Sequence, residues 1–126
     1  MADQVVTITQ DSITYPIQKI SWDWLSASDG TVSSAAFGAY MGKIVKAILA
    51  SDSGGTAPTN NYDVTIEDED GYDVLSGGGA NVTSADTVYL VDPDKCLWVR
   101  SNSLTLKVAN AGDAKGGVVT LYIQRA

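Results

Sequence analysis

SLTLKVANAGDAKGGVVTLYIQ, Ser103–Gln124, is the run that decides the fold class. In its first half Leu104, Leu106 and Val108 alternate with Thr105 and Lys107. In its second half Val119, Leu121 and Ile123 alternate with Val118, Thr120 and Tyr122. A strand turns successive side chains to opposite faces, so a period of two marks a half-buried strand; a helix would repeat its apolar residues every three or four. The polar, glycine-rich link NAGDAKGG, Asn110–Gly117, reads as a hairpin loop and predicts that the two strands pair antiparallel.

The same period extends upstream. Val5 to Thr9 and Ile13 to Ile17 read as short strands, with Pro16 placing the second on an edge or at a bend. In KISWDWL, Ile20, Trp22 and Trp24 share one face. GKIVKAIL, Gly42–Leu49, fits either a short amphipathic helix or a strand. Its β-branched residues favour the strand, with Ile44, Lys46 and Ile48 on one face and Val45, Ala47 and Leu49 on the other. Tyr62 to Glu67, Thr87 to Val91 and Leu97 to Arg100 complete the set, and SSAAFGAY, Ser33–Tyr40, is the one segment compatible with a helical turn. Eight to ten short strands separated by turn signals predict an all-β fold: one antiparallel β-sandwich or barrel, jelly-roll-like. The chain reads as one domain over 1–126, with a β core over 13–126 and residues 1–12 as an extended N-terminal arm.

At 126 residues, 44% of them hydrophobic, the chain suits one domain burying roughly two-thirds of its unfolded surface. A net charge of −7 disfavours nucleic acid and anionic membranes, both of which require clustered Lys and Arg. It suits a protein that faces other proteins. No stretch approaches the roughly 18 apolar residues of a membrane span, and the opening MADQVVTITQDSITY lacks the basic start and apolar run of a signal peptide. The expectation is cytoplasmic folding, with the sequon Asn81-Val82-Thr83 accidental. Histidine is absent, which removes the commonest general base and the Ser-His and Cys-His nucleophile systems. Cys96, the lone cysteine, sits in the apolar run KCLWV and reads as an inert buried thiol. No cofactor is expected.

YDVTIEDEDGYDVLSGGGAN, Tyr62–Asn81, concentrates the carboxylates. Counted from Asp68 as an EF-hand loop, glycine falls at position four and Gly79 occupies position twelve, where the motif needs glycine at six and glutamate at twelve. A looser calcium site from Asp68, Asp70 and Asp73 is the weaker reading. Adjacent acids on a loop stay solvated and ionised, the wrong environment for a general acid, so a hydrolase using two of Asp63, Glu67, Asp70 and Asp73 ranks last. Gly77–Gly79 lacks the Lys-Ser/Thr of a phosphate loop. A β-hairpin explains more. Asp70-Gly71 forms its tight turn, Tyr72–Leu75 is the returning strand, Tyr62 and Tyr72 pack across it, and SGGGAN is a flexible loop.

Trp22, Trp24 and Trp98 present two readings: an aromatic platform for sugar built on Trp22 and Trp24, or core and oligomer-interface anchors. One phenylalanine in the whole chain favours the second. The interface candidates are Val5, Val6, Ile8, Trp22 and Trp24. Lys19, Lys43 and Lys46 are too sparse in sequence to form a basic patch.

Tyr62-Asp63-Val64-Thr65-Ile66, Asp68-Glu69-Asp70-Gly71, Asp73-Val74-Leu75, Gly79-Ala80-Asn81 and the run Leu104 to Tyr122 together resemble a group of small structural proteins of tailed bacteriophages. The likeness spans roughly Lys43 to Gln124. It implies a non-enzymatic virion protein, foremost a capsid cement or decoration protein. Such a protein would be a dimer or trimer bound to the major capsid protein or other virion proteins, assembled in the host cytoplasm. Head–tail connector, tail-tube subunit and spike module are the alternatives within that resemblance.

Overall fold

The computed structural model describes residues 3–11, 17–84, 87–90 and 98–124. The segment 12–16, most of the expected strand Ile13–Ile17, lies outside them, as do Val91, Cys96 and Leu97. Among the described residues the chain forms seven strands and one 3₁₀ turn, Gly54–Thr56. The strands are β1 (Val5–Asp11), β2 (Ile17–Leu25), β3 (Val32–Ser51), β4 (Asp63–Glu67), β5 (Thr87–Leu90), β6 (Trp98–Ala109) and β7 (Gly116–Gln124). All pairings are antiparallel, in the order β1-β2-β7-β3-β6-β4 with β5 also on β3. The sheet has two open ends, β1 and β4, and is not closed into a barrel.

β3 organises this architecture. Its first half, Val32 to Lys43, pairs with β6; its second half, Lys43 to Ser51, pairs with β7, and Ala47–Ala50 also pair with β5. Register shifts between Phe37 and Tyr40 and between Ile44 and Lys46 bend the strand. A β-bulge adds one residue to one strand and kinks it, which lets a 20-residue strand pass from one layer to the other. The layers meet face to face: Trp24 of β2 packs on Tyr62, next to β4, with ring centroids 5.7 Å apart, although β2 and β4 are separated by three strands in the sheet order. One core joins both layers, with Ile20, Trp22, Leu49, Leu104, Leu106 and Leu121 buried.

β3 also corrects three expectations. β6 and β7 do not form a hairpin, because β3 lies between them. Their link is an arch from one layer to the other, anchored where Ser26 Oγ donates to the Gly112 carbonyl (2.6 Å) and accepts from the Lys115 N–H (3.0 Å). The alternation told which side chains face inward; arching the chain sets those two inward faces against each other rather than side by side. Ser33–Tyr40 is strand and not a helical turn. Its buried residues Val32, Ala36 and Tyr40 fall four apart, a spacing that a strand shares with a helix. The bulge after Ile44 separates it from Lys46 and Ile48, so Ile44, Ala47 and Leu49 are buried instead. The expected strands come to seven among the described residues: those at Leu97–Arg100 and Leu104–Val108 run together in β6, Tyr72–Leu75 shrinks to a bridge, and most of Ile13–Ile17 lies outside the described residues.

The N-terminal arm is corrected as well. Val5 to Asp11 pair residue for residue with Leu25 to Lys19, and Val6 and Ile8 pack against the core. β1 then approaches the first half of β3 without a main-chain ladder; glutamines bridge the seam. Gln4 donates to the Ser33 carbonyl (2.7 Å) and accepts from the Ser33 N–H (2.8 Å). Gln10 accepts from the Tyr40 hydroxyl (2.7 Å) and donates to the Phe37 carbonyl (3.4 Å), and the buried Gln18 donates to the Ala39 carbonyl (3.2 Å). Unpaired strand edges recruit other strands, and these amides occupy groups that would otherwise do so.

Candidate interaction face

The acidic segment is held by its own carboxylates. Asp68 Oδ1 accepts from the N–H groups of Asp70 and Tyr72, both at 3.0 Å. Asp73 Oδ1 accepts from Ile66 (3.1 Å) and Leu75 (3.0 Å), and its Oδ2 from Gly77 (3.0 Å). Asp63 takes the Asn81 N–H (2.9 Å) and the Asn110 side-chain amide (3.0 Å). Glu67 pairs with Lys107 at 3.0 Å. Asp68 and Asp73 each turn to their own local backbone, so Asp68, Asp70 and Asp73 do not converge on a cation position. Among the described residues no three His, Cys, Asp or Glu side chains gather into one site.

The expected turn is present: the Gly71 N–H reaches the Asp68 carbonyl (3.0 Å), with Gly71 at φ +81°, a conformation that glycine adopts without strain. The returning strand Tyr72–Leu75 shrinks to one bridge, Glu67 with Asp73, because Asp73 folds the next residues into tight turns around its carboxylate. Nor is SGGGAN a free loop. The Val64 N–H donates to the Gly79 carbonyl (2.7 Å), and a side chain at Gly79 would collide with the Val64 carbonyl oxygen. The loop therefore covers the outer edge of β4. Tyr62 is buried, its hydroxyl 2.6 Å from Ser51 Oγ, while Tyr72 is exposed, so the two do not pack across a hairpin.

Trp22 and Trp24 are 0% and 2% exposed. That removes both the sugar platform and the interface role expected of them: with few other large aromatics, the core takes the indoles. Their indole N–H groups find no hydrogen-bond partner there. Val5 is exposed, while Val6 and Ile8 serve the core more than an interface.

Trp98, by contrast, is 71% exposed, and it stands with Phe37 (74%) and Met41 (50%) on the outer face of β3 and β6. The register places Trp98 directly opposite Lys43 and Arg100 directly opposite Met41. Val99, between Trp98 and Arg100, points into the core. Directly opposed side chains in a sheet lie about 5 Å apart and diagonal ones within reach of long side chains. The four residues therefore form a checkerboard of two apolar and two cationic groups. The cationic character continues across the sheet, where Lys46 of β3 and Lys19 of β2 flank Tyr122 of β7, with Nζ atoms 4.6 Å and 5.6 Å from its ring centroid. Sequence spacing concealed this row: residues 19, 46 and 122 become neighbours only through strand register. Among the described residues the one ion pair is Glu67–Lys107, so Lys19, Lys43, Lys46 and Arg100 lack a carboxylate partner.

Beside the checkerboard a cleft of about 440 Å³ is lined by Met41 and Arg100 together with Glu69 and Asp70. Glu69 is fixed there by its N–H on Ser101 Oγ (3.0 Å). A second cleft, about 470 Å³ over β4, β6 and the start of β3, holds one carboxylate and one cation, Asp63 and Lys107, both already partnered. The arrangement at the checkerboard can bury apolar area and orient charge. Trp, Met and Arg are the residue types that protein interfaces enrich. Compared with family models, curated proteins and solved structures, the chain matches none of them.

Proposed function

We propose that the chain is a non-enzymatic structural protein of a phage particle, a capsid cement or decoration protein that docks through the outer face of β3 and β6. The observation that carries this reading is the exposure of Phe37, Met41 and Trp98 on one sheet face of a chain whose core is already supplied with two indoles. Large apolar groups held in water beside unpaired cations favour a protein partner. The phage setting comes from the resemblance of Tyr62–Asn81 and Leu104–Tyr122 to tailed-phage structural proteins. Docking would desolvate the three apolar side chains while Lys43 and Arg100 set orientation against carboxylates or carbonyls of the partner.

The test is co-sedimentation of the purified chain with particles that lack it. Wild type should pellet with the shells and raise their heat resistance; Trp98→Ser and Phe37→Ser should each weaken pelleting. Equal binding by all three would overturn the reading. Density for the chain at the neck or along the tail, rather than on the shell, would transfer the same face to a connector or tail-tube role.

A further inference from the structure

We propose that Asp70 is a modification site, where the chain converts spontaneously to isoaspartate, and that the fold protects Asp29 from the same reaction. The sequence holds two Asp-Gly steps, Asp29-Gly30 and Asp70-Gly71. At such a step the glycine nitrogen can attack the side-chain carboxyl carbon of the aspartate, because no side chain on the glycine shields that nitrogen. The reaction is intramolecular, so geometry governs its rate. A bond forms between Gly71 N and Asp70 Cγ, and the carboxyl hydroxyl leaves with the amide proton as water, giving a cyclic imide. Water then reopens the imide. Cleavage at Cγ restores aspartate; cleavage at the main-chain carbonyl leaves that carbon as a carboxylate and routes the chain through Cβ and Cγ.

The two steps sit in matched turns. Each glycine N–H closes on the carbonyl three residues back, Gly30 on Ala27 and Gly71 on Asp68, both at 3.0 Å. The glycines share a left-handed backbone, φ +82° and +81°. The carboxylates differ. Asp29 Oδ1 accepts from the Thr31 hydroxyl (2.7 Å) and the Thr31 N–H (3.1 Å). Those bonds, the hydroxyl's foremost, hold the carboxyl below its ordinary pKa and so in the ionised form, whose oxygen cannot leave as water. The matching amide of the other turn, the Tyr72 N–H, is already taken by Asp68 Oδ1 at 3.0 Å. Among the described residues the Asp70 carboxylate therefore accepts no hydrogen bond, while its main-chain N–H is held by the same Asp68 oxygen (3.0 Å). Space differs too. The Gly30 carbonyl accepts from the Ala111 N–H (3.1 Å), and a side chain at Gly30 would strike the Gly112 nitrogen, so that turn is packed against the link between β6 and β7. A side chain at Gly71 would meet nothing within 4 Å, which leaves the imide room to form. Asp68 builds its turn and, in doing so, strips Asp70 of the protection that Thr31 gives Asp29.

The experiment is incubation of the purified full chain at neutral pH and body temperature for several weeks. Isoaspartate is then labelled with an isoaspartate methyltransferase and S-adenosylmethionine and located by peptide mapping. The label should appear on the peptide that contains Asp70, preceded by an imide form one water lighter. Freeing the Asp29 carboxylate breaks two bonds to a charged group, so conversion there should lag Asp70 roughly tenfold or more. Unfolded in guanidinium, the chain should convert at both steps at similar rates, which separates protection by the fold from the sequence itself. Thr31→Val removes the hydroxyl bond and should speed conversion at Asp29 several-fold while leaving Asp70 unchanged. Asp70→Glu should abolish the label at that position, because glutamate must close a larger and slower-forming ring; circular dichroism checks that both variants are folded. Equal conversion at the two steps of the folded chain, conversion confined to Asp29, or no conversion at Asp70 while the unfolded chain reacts would each overturn the assignment. A Thr31→Val chain whose Asp29 stays as slow as in wild type would sink the protective role of Thr31.

Discussion

The acidic segment and the β3–β6 face make an instructive pair. Tyr62–Val82 carries the densest chemistry of the sequence, and the fold directs its Asp63, Asp68 and Asp73 carboxylates onto backbone amides of its own turns. The face is built from unremarked stretches, FGAYMGK and WVRS, and among the described residues Phe37, Met41, Trp98, Lys43 and Arg100 have no comparable partners. A carboxylate that already accepts two or three N–H groups is part of the scaffold. What matters for recognition is which groups the fold leaves unsatisfied.

The contrast can be broken or sharpened by substitution. The largest effect is expected at Asp73, where alanine strands the N–H groups of Ile66, Leu75 and Gly77. Charge-assisted bonds of this kind are worth about 1.5–3 kcal/mol each, but water reaches this half-buried site, so a total loss of about 3 kcal/mol by urea unfolding is the expectation. A loss below about 1 kcal/mol would break the view of the acids as scaffold. Next comes Gln10→Ala, which removes the partner of the buried Tyr40 hydroxyl and opens the β1–β3 seam, at about 1–2 kcal/mol.

Alkaline pH probes the same interior. Burial raises the phenols of Tyr40 and Tyr62 above their ordinary value of 10.0, with the charge of Asp52 adding to the rise at Tyr62. Above about pH 10 the unfolded phenols ionise while the folded ones keep their protons, so stability present below about pH 10 declines as pH climbs through the folded values. The phenolate absorbance band should show these two ionising only with unfolding, and Gln10→Ala, which weakens the fold, should bring that band in at lower pH. The smallest effects on stability belong to the surface. Lys107→Met should cost about 0.2–1 kcal/mol, the usual range for an exposed ion pair. Trp98→Ser should change stability by no more than about 0.5 kcal/mol while association weakens, which is the sharpest form of the contrast. A large loss of stability there would mean that Trp98 serves the fold.

Legibility followed the range of the interaction. Alternation at Leu104–Val108, Val119–Ile123 and Ile20–Trp24 identified strands and their inward faces, because strand period is a property of a single segment. Asp70-Gly71 marked its turn for the same reason. The neighbours of each strand were not legible: nothing local to Asn110–Gly117 says that β3 will separate β6 from β7. Bulges are hidden likewise, so in sequence Ser33–Tyr40 is compatible with a helical turn and Ile44 shares a face with Lys46.

By itself the sequence determined that this is an all-β chain with a turn at Asp70-Gly71 and with Ile20, Trp22 and Trp24 on one face, since each of these depends on residues within a few positions of one another. Only the tertiary structure decided that Trp22 and Trp24 are core while Trp98 is surface, that the acids close their own turns, and that Lys19 and Lys46 meet over Tyr122. Those outcomes depend on which strand lies beside which, and strand pairing joins residues tens of positions apart through main-chain groups that every residue carries alike.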